Sequence, residues 1–239
     1  MDDKTNRLLE QFLNQSSQTF TFDYAIVDMR KMLRLLPHDR PELASILSPP
    51  ELERLEQFAM PKKKLQWLSG RYAVKSALFK YKIARGRFLN LNCIDLLNRE
   101  NSAPYLVQFP NLQTSITHSY PYCIGVVSER PIGIDLEKVI VLSDSLIRQF
   151  FHPNEIQNLG ETNADDYHPR AITYWTRKEA VSKLLKLGLK MDFKQTDTAN
   201  DFLIYNEKRA SWIKLKSYQI NDYCFSLAIG GERSLSNQR

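Results

Sequence analysis

A weak internal repeat constrains the fold of this chain more than any other feature. Each half carries a strand-like run, a Pro-marked turn and a long helical run, which read YAIVDMR, LSPPELERL and WLSGRYAVKSALFK in the first half and IGIDLEK, FFHPNEIQNL and YWTRKEAVSKLLKL in the second. Asp28 precedes Trp67 by 39 positions, and Asp135 precedes Trp175 by 40. The matched spacings favour a duplicated unit over a chance similarity of two helices.

The residue patterns within each repeat predict an α+β fold. Apolar residues recur at helical spacing in the runs that begin near Trp67 and Trp175, whereas the closing segment 212–230 has the pattern of two strands around an Asn-Asp turn. Proline near a helix start, with glutamate in the first turn, is typical of a helix N-terminus. We therefore expect two similar α+β halves, residues 1–131 and 132–239.

The two halves differ in charge when they are aligned on their tryptophans. This alignment pairs Asp135 with Asp28, Glu137 with Arg30, and Glu179 with Arg71. The second half is acidic where the first half has become basic. A duplicated protein that needs a single metal site could diverge in this way.

Three carboxylates of the second half form the candidate chemical site. Asp135 and Glu137 are two residues apart in a predicted strand and therefore point to the same face. By themselves they could be a solvated strand edge, and Glu179 with Lys183 could be an ordinary i,i+4 pair worth a few tenths of a kcal/mol. Together, the three acids suit a hard cation such as Mg²⁺, which binds carboxylates and substrate phosphates at once. This pattern points to phosphoryl chemistry.

Basic side chains are the candidates for holding the phosphates of such a substrate. They are Arg71, Lys75, His118, Lys178 and Lys183. His118 lies in an apolar strand-like run, where a lone histidine is more often structural than catalytic. The chain has 4 histidines, none at metal-ligand spacing, so a zinc site is not expected.

Composition narrows the compartment and the class of partner. The net charge of +6 suits an anionic partner, but it suits a solubility surface equally well. Cys93, Cys123 and Cys224 lie far apart without a CxxC motif, which indicates a reducing cytoplasm rather than a disulfide framework. We recognise no signal peptide and no apolar run long enough to span a bilayer. Residues 1–23 are open to two interpretations, a polar tail or an added helix.

Four motifs together resemble the Sfp-type 4′-phosphopantetheinyl transferases. They are ITHS at 116–119, IGIDLE at 132–137, FFHPNE at 150–155 and WTRKEAVSK at 175–183. The helical run WLSGRYAVKSAL agrees with the N-terminal half of that family, so the resemblance covers roughly residues 45 to 230. The order and spacing of GIDLE and WxxKEAxxK are specific to the family, whereas either motif alone would not be.

The resemblance implies a fold and an activity. Family members transfer the 4′-phosphopantetheine arm of coenzyme A to a serine of an apo acyl or peptidyl carrier protein, and they release adenosine 3′,5′-bisphosphate. They require Mg²⁺, with Mn²⁺ as the other candidate ion here. Their fold is a monomeric pseudo-dimer of two similar α+β halves with the active site in the cleft between them.

The resemblance also implies roles for the acids and one lysine. Asp135, Glu137 and Glu179 match the metal-binding acids, and Glu179 also matches the proposed general base for the serine. Lys183 matches the lysine that stabilises the pyrophosphate and the leaving bisphosphate. Glu155 matches an acid of the family's (F/W)xxxE segment that supports the site, although it could equally be a first-turn glutamate of a helix.

Coenzyme A contacts are implied chiefly for the first half. The matching positions are Arg71, Lys75, Pro104, Thr117 and His118, together with Lys178 and Lys183 from the second half. His118 would contact the 3′-phosphate. The family's Gly-basic-Pro sequence is SAP at 102–104, which retains only Pro104, and its SHS is THS, with Thr117 in place of serine. These departures leave the acids intact, so we expect an active enzyme with altered affinity for coenzyme A.

Two other functions remain open from the residues alone. A basic nucleic-acid-binding module would use the clusters PKKKLQW at 61–67 and KYKIARGRF at 80–88, although no RNP, zinc-finger or helix-turn-helix pattern accompanies them. A metal-dependent phosphohydrolase would use the same three acids with water as the nucleophile.

Segment 138–160 contains apolar residues that could form a docking patch for the carrier protein or belong to the core. They are Leu146, Ile147, Phe150 and Phe151, beside Arg148.

Overall fold

Each half of the chain folds as one long helix packed against a three-stranded antiparallel sheet. The chain divides into two compact units, Met1–Glu129 (unit 1) and Arg130–Arg239 (unit 2). The α+β class expected from the sequence is confirmed. A computed structural model describes residues 3–36, 40–83, 85–86, 88–200, 203–205 and 207–231.

The sheet of unit 1 has the strand order β1–β5–β4, and a second small sheet pairs β2 with β3. The helices of unit 1 are α1 (Asp3–Phe20), α2 (Met29–Leu33), α3 (Arg40–Ile46), α4 (Pro49–Glu56) and α5 (Pro61–Ile83). Its strands are β1 (Phe22–Asp28), β2 (Leu96–Asn98), β3 (Pro104–Leu106), β4 (Gln113–Ser119) and β5 (Tyr122–Ser128).

Helix α5 packs directly onto the sheet of unit 1. A methyl group built on Gly125 of β5 would lie 2.5 Å from the backbone nitrogen of Val74, so only a glycine permits this approach. Apolar residues of α5, including Ala77 and Leu78, continue the contact and are fully buried. Their burial removes apolar surface from water, which is the main stabilising contribution of such a helix–sheet contact.

Residues 3–20 form an added helix, which decides between the two interpretations of the N-terminus. Helix α1 is amphipathic, and Leu9, Phe12 and Leu13 lie buried along one side. The helix packs on β1, where the hydroxyl of Tyr24 donates a hydrogen bond to Asn14 Oδ1 at 2.7 Å.

The sheet of unit 2 has the strand order β6–β11–β10, and β7, β8 and β9 form a further small sheet. The helices of unit 2 are α6 (Asp144–Phe150), α7 (Pro153–Gly160) and α8 (Ala164–Leu185). Its strands are β6 (Ile132–Lys138), β7 (Thr196–Asp197), β8 (Ile204–Tyr205), β9 (Lys208–Arg209), β10 (Ile213–Ile220) and β11 (Tyr223–Gly230).

Helix α8 lies against β6 at a second glycine contact. A methyl group on Gly133 would lie 1.9 Å from the carbonyl oxygen of Ala180, so the two backbones touch. The helix is preceded by an Asn163 N-cap and followed by a C-cap at Lys186, which adopts a left-handed conformation with φ of 57°. Among the described residues, no helix is both long enough and apolar enough to cross a bilayer.

The two units share one topology. In chain order, β1, α4, α5, β4 and β5 of unit 1 correspond to β6, α7, α8, β10 and β11 of unit 2. The last two strands of each set form a hairpin, and the last strand is central in each sheet. The internal repeat inferred from the sequence is therefore present in the folded units.

A buried glutamate in each unit shows which positions of the two long helices correspond. Glu51 of α4 and Glu155 of α7 each complete a capping box, and each pairs with a fully buried lysine of the long helix, Lys75 and Lys178 respectively. Both glutamates also accept a hydrogen bond from the backbone of a later segment, at Leu96 in unit 1 and at Thr198 in unit 2. Lys75 therefore corresponds to Lys178.

A second lysine in each long helix shows which positions of the first strands, β1 and β6, correspond. Lys80 donates to the carbonyl oxygen of Tyr24 at 3.1 Å, and Lys183 donates to the carbonyl oxygen of Ile134 at 3.1 Å. Tyr24 therefore corresponds to Ile134, and the hairpin registers of the two units agree with this match.

These contacts correct the alignment made on the tryptophans, which is displaced in both the strand and the helix. The acids Asp135, Glu137 and Glu179 do not correspond to Asp28, Arg30 and Arg71. Their counterparts in unit 1 are Ala25, Val27 and Ser76. Unit 1 therefore carries no carboxylate at any of the three positions.

Candidate active site

The three candidate acids and Lys183 converge within unit 2. Asp135 and Glu137 lie on β6, and Glu179 and Lys183 lie on α8 above it. The ammonium group of Lys183 is 2.6 Å from Asp135 Oδ1, and its side chain is 30% exposed. The close approach of α8 to β6 at Gly133 is what brings a helix acid and two strand acids together.

Burial and mutual repulsion raise the pKa values of two of these acids. Burial, reinforced by Asp135 and Glu179, raises the pKa of Glu137 to about 7, although Lys183 opposes the shift. Burial also raises the pKa of Glu179; the positive charge of Lys183 opposes this effect, and Asp135 adds to it. A nearby positive charge would therefore stabilise the charged forms of these carboxylates, and the single charge of Lys183 does not neutralise all three.

The donor chemistry of this group fits a hard divalent cation, but the side chains are not arranged as a ready-made ligand set. Across the residues that the structure describes, no three His, Cys, Asp or Glu side chains are placed to hold a metal ion together. Asp135 instead receives the ammonium group of Lys183. Oxygen donors with raised pKa values are nevertheless the groups whose repulsion a cation would relieve.

Lys75 and Lys178, which the sequence predicts to contact phosphate, lie instead in the cores of their units. Both side chains are fully buried within their units. Lys75 pairs with Glu51 and donates to the carbonyl oxygen of Ile46 at 2.8 Å, whereas Lys178 pairs with Glu155 at 2.9 Å. Burial lowers the pKa of each lysine, and the neighbouring glutamate opposes the shift. These lysines hold the core of each unit together.

Glu155, which the sequence predicts to support the site, is likewise a core residue. One carboxylate oxygen accepts from the backbone nitrogen of His152 at 2.9 Å, and the other accepts from the backbone nitrogen and hydroxyl of Thr198. The side chain has no exposed surface. Its place in the capping box of α7 agrees with the interpretation as a first-turn helix glutamate, to which the fold adds the ion pair with Lys178.

Arg71 lines a cavity of about 590 Å³ within unit 1. Its guanidinium stacks on Trp67 at 4.5 Å, donates to Asn98 at 2.6 Å and lies 3.7 Å from Glu51. Burial lowers its pKa to about 10. Within the described part of the chain, Nε, the atom nearest Glu51, makes no hydrogen bond. Arg54 also lines this cavity.

Sequence reasoning missed Arg54, Trp67 and Asn98 as neighbours of Arg71. The i,i+4 spacing of Trp67 and Arg71 on a helix is a signal that could have identified part of the group. Arg54 and Asn98 come from α4 and β2, so only the tertiary fold brings them to the same cavity.

The remaining coenzyme A candidates lie on the strands of unit 1. Thr117 and His118 are neighbours on β4, where Thr117 is buried and His118 is exposed. Pro104 begins β3, and its carbonyl oxygen accepts a hydrogen bond from Thr114 at 3.0 Å. An exposed histidine on a buried strand can meet a ligand without disturbing the core.

The apolar docking patch proposed for segment 138–160 is largely core. Ile147 and Phe151 are buried, and Leu146 and Phe150 pack against the same cluster. The exposed apolar side chains of this segment are instead Ile140 and Val141, in the loop that precedes α6.

Comparison with known proteins identifies the family. The family model described as the 4′-phosphopantetheinyl transferase superfamily matches residues 131–228, which include all three acids and Lys183. The 4′-phosphopantetheinyl transferase HetI of Nostoc sp. is 30% identical over 64% of this chain and 68% of its own length.

Other curated relatives are matched over shorter parts of their length. The 4′-phosphopantetheinyl transferase psf-1 of Bacillus pumilus is 29% identical over 37% of this chain and 38% of its own length. The 4′-phosphopantetheinyl transferase ffp of Bacillus subtilis is 28% identical over 62% of this chain and 64% of its own length. These alignments span less than two thirds of the two relatives.

Among solved structures, a holo-(acyl-carrier-protein) synthase of Bacillus anthracis in complex with CoA (3′,5′-ADP) aligns at 20% identity. The alignment covers 44% of this chain and 91% of that one, with a TM-score of 0.38. The family model and the HetI alignment carry the assignment instead. On these two matches, the chain belongs to the 4′-phosphopantetheinyl transferase superfamily.

Proposed function

We propose that this protein transfers the 4′-phosphopantetheine group of coenzyme A to a serine of an apo acyl or peptidyl carrier protein. The observation that carries the proposal is the convergence of Asp135, Glu137, Glu179 and Lys183 on one helix–strand contact of unit 2. Family membership supplies the reaction class. Adenosine 3′,5′-bisphosphate is the second product.

The acids of unit 2 would hold Mg²⁺ or Mn²⁺, which supplies charge neutralisation at the pyrophosphate. Lys183 is suited to the leaving bisphosphate because its side chain is partly exposed, whereas Lys75 and Lys178 are enclosed. In the transfer, the serine oxygen forms a bond to the phosphorus that bears the pantetheine arm, and the P–O bond to the bisphosphate breaks.

Glu179 is the proposed acceptor of the serine proton, directly or through a water molecule. A carboxylate with an ordinary pKa is a weak base at neutral pH. Burial raises the pKa of Glu179, which increases its basicity and supports this role.

The cavity of unit 1 supports binding of the nucleotide part of coenzyme A. It combines two guanidinium groups, Arg54 and Arg71, with the aromatic side chains of Phe58 and Trp67. Arginine is suited to phosphate and aromatic rings to a purine base. Arg71 Nε makes no hydrogen bond to the described residues and faces Glu51 only at 3.7 Å, so it is a buried donor that such a ligand could satisfy.

The test is an incubation of the purified protein with coenzyme A, Mg²⁺ and an apo carrier protein, followed by intact mass spectrometry of the carrier. We expect the mass of one phosphopantetheine group on the carrier, and none when its acceptor serine is replaced by alanine. Fatty-acid, polyketide and peptide carriers are compared, because the surface around the serine differs among them. Failure of transfer to every carrier would refute the proposal.

The same incubation, together with a DNA-binding measurement, separates the other candidate functions. Cleavage of coenzyme A without any gain in carrier mass would indicate a phosphohydrolase. Salt-sensitive binding to generic DNA without transfer would indicate the nucleic-acid module, to which the exposed Lys62 and Lys63 would contribute. Residues 84 and 87 of the second basic cluster lie outside the described part of the chain.

Metal affinity is expected to rise with pH through neutrality. Glu137, with a pKa of about 7, is half protonated at pH 7, and a cation must displace that proton. Between pH 6 and pH 8 the deprotonated fraction rises about tenfold, and the affinity for Mg²⁺ should rise by a similar factor. Titration calorimetry at both pH values measures the effect. The Glu137→Gln variant should bind more weakly and show a smaller pH dependence; an equal dependence would contradict the assignment.

A further inference from the structure

A chain of hydrogen bonds joins helix α8 to the two strands β10 and β11 in unit 2. Arg177 Nε is 2.9 Å from the hydroxyl of Ser217, which is 2.9 Å from the hydroxyl of Ser226. Ser226 is in turn 2.8 Å from Thr176 Oγ1, and Thr176 is 3.0 Å from the carbonyl oxygen of Thr173. We refer to the three hydroxyl groups of Thr176, Ser217 and Ser226 as the hydroxyl chain.

Only one assignment of donors and acceptors fits the hydroxyl chain. The carbonyl oxygen of Thr173 can only accept, so Thr176 uses its proton there and accepts from Ser226. Ser226 then accepts from Ser217, and Ser217 accepts from Arg177, which can only donate. Each hydroxyl donates once and accepts once, so the chain is fully satisfied and has one defined arrangement.

The hydroxyl chain lies beside the acids. Ser217, Ser226 and Asp135 are directly opposite one another on the adjacent strands β10, β11 and β6. Thr176 precedes Glu179 by three residues, which is about one helical turn. Helix α8 is thus bonded to β10 and β11 through the hydroxyl chain and to β6 through Lys183 and Asp135.

Unit 1 shows that this fold does not need the hydroxyl chain. In the register established above, Ser217, Ser226 and Thr176 correspond to Ile116, Gly125 and Ala73. A methyl group on Gly125 would lie 2.6 Å from the carbonyl carbon of Ala73, so apolar packing and close backbone contact fill the same place. The unit without the acids therefore holds its long helix to its sheet without these hydroxyls.

We propose that the hydroxyl chain is a positioning device for the acidic site, because it occurs in the unit that carries the acids and not at the matching place in the other. It acts by holding α8 at one position along the sheet, so that Glu179 and Lys183 face Asp135. Thr176, Ser217 and Ser226 are positioning residues, since they act through Glu179 and the strand acids. This inference rests on the proposed transferase function.

The test uses Thr176→Val, which keeps the shape of the side chain and removes the hydroxyl. We expect Mn²⁺ affinity, measured by titration calorimetry on the full chain, to fall by about tenfold. We expect kcat for carrier modification to fall by about 10- to 100-fold, with the KM for coenzyme A nearly unchanged. Thr176→Ser, which restores the hydroxyl, should recover both quantities to within about threefold.

The matched control is Ser182→Ala. Ser182 is also buried on α8, and its hydroxyl donates to the carbonyl oxygen of Gly188 at 2.8 Å, outside the hydroxyl chain. It should lower the melting temperature about as much as Thr176→Val while leaving Mn²⁺ affinity and kcat intact. If Thr176→Val behaves like Ser182→Ala in all three measurements, or Thr176→Ser fails to recover, the inference is overturned.

The wild-type protein separates the two possible failures. Normal transfer by the wild type together with an unaffected Thr176→Val variant defeats the positioning inference alone. A wild type that modifies no carrier and binds no Mn²⁺ defeats the proposed function, and the inference falls with it.

Discussion

Replacing Glu179 by glutamine is expected to slow carrier modification by about 10³-fold, which is within the range for loss of a general base. The substitution removes the negative charge from α8 and leaves an amide that cannot accept the serine proton. The variant should fold normally, because burial already disfavours the charged form of Glu179, and this effect exceeds the attraction of Lys183. Initial rates of carrier modification by mass spectrometry, together with thermal unfolding, measure both quantities.

The matched control for this prediction is Glu161→Gln, which makes the same chemical change at an exposed position of unit 2. It should leave the rate within about twofold, as expected for a surface substitution. Asp135→Ala should reproduce the loss of activity from the strand side. Near-normal rates in both the Glu179 and Asp135 variants would show that the acids of unit 2 are not the reaction site.

Replacing Lys178 by methionine is expected to lower the free energy of unfolding by about 3–5 kcal/mol, because it leaves the buried negative charge of Glu155 without its positive counterpart. The effect arises in the core and needs no ligand. Urea-induced unfolding followed by circular dichroism measures it in the free protein. Lys216→Met, at an exposed position of β10, should change the stability by less than about 0.5 kcal/mol.

A double variant distinguishes the core role of Lys178 from a phosphate-binding role. Glu155→Leu combined with Lys178→Met removes both buried charges, so it should be more stable than Lys178→Met alone. If Lys178→Met instead unfolds like the wild type and loses only affinity for coenzyme A, then Lys178 binds phosphate and the structural assignment is wrong. Lys75→Met should behave in parallel, because Glu51 occupies the equivalent position in unit 1.

Local patterns in the sequence were sufficient to predict the type of fold and the kind of element, strand or helix, that carries each acid. The alternation around Asp135 and Glu137 predicts a strand, and the helical period that contains Glu179 predicts a helix; both are present as β6 and α8. Such patterns are readable because they depend on which face of one element is buried. The capping boxes at Ser48 and His152 carried a further signal that the alignment on tryptophans did not use.

Local patterns do not show which lysines of the long helices are buried. Lys75, Lys178 and Lys183 all follow a tryptophan on a long helix, and nothing local separates them. The first two are enclosed with a glutamate from a preceding helix, whereas Lys183 reaches a strand acid and remains partly exposed. A lysine enters the core only where a carboxylate from another element meets it, because an unpaired buried charge is too costly.

The sequence by itself determined the α+β class and the internal duplication, and it predicted Asp135, Glu137 and Glu179 as the candidate chemical residues. Only the tertiary structure decided how the two copies correspond, which lysines lie in the core, and which hydroxyls hold α8 beside the acids. The reason is physical. Periodicity reports the burial of one face of one element, whereas register, ion pairing and helix position depend on contacts between elements distant in the chain.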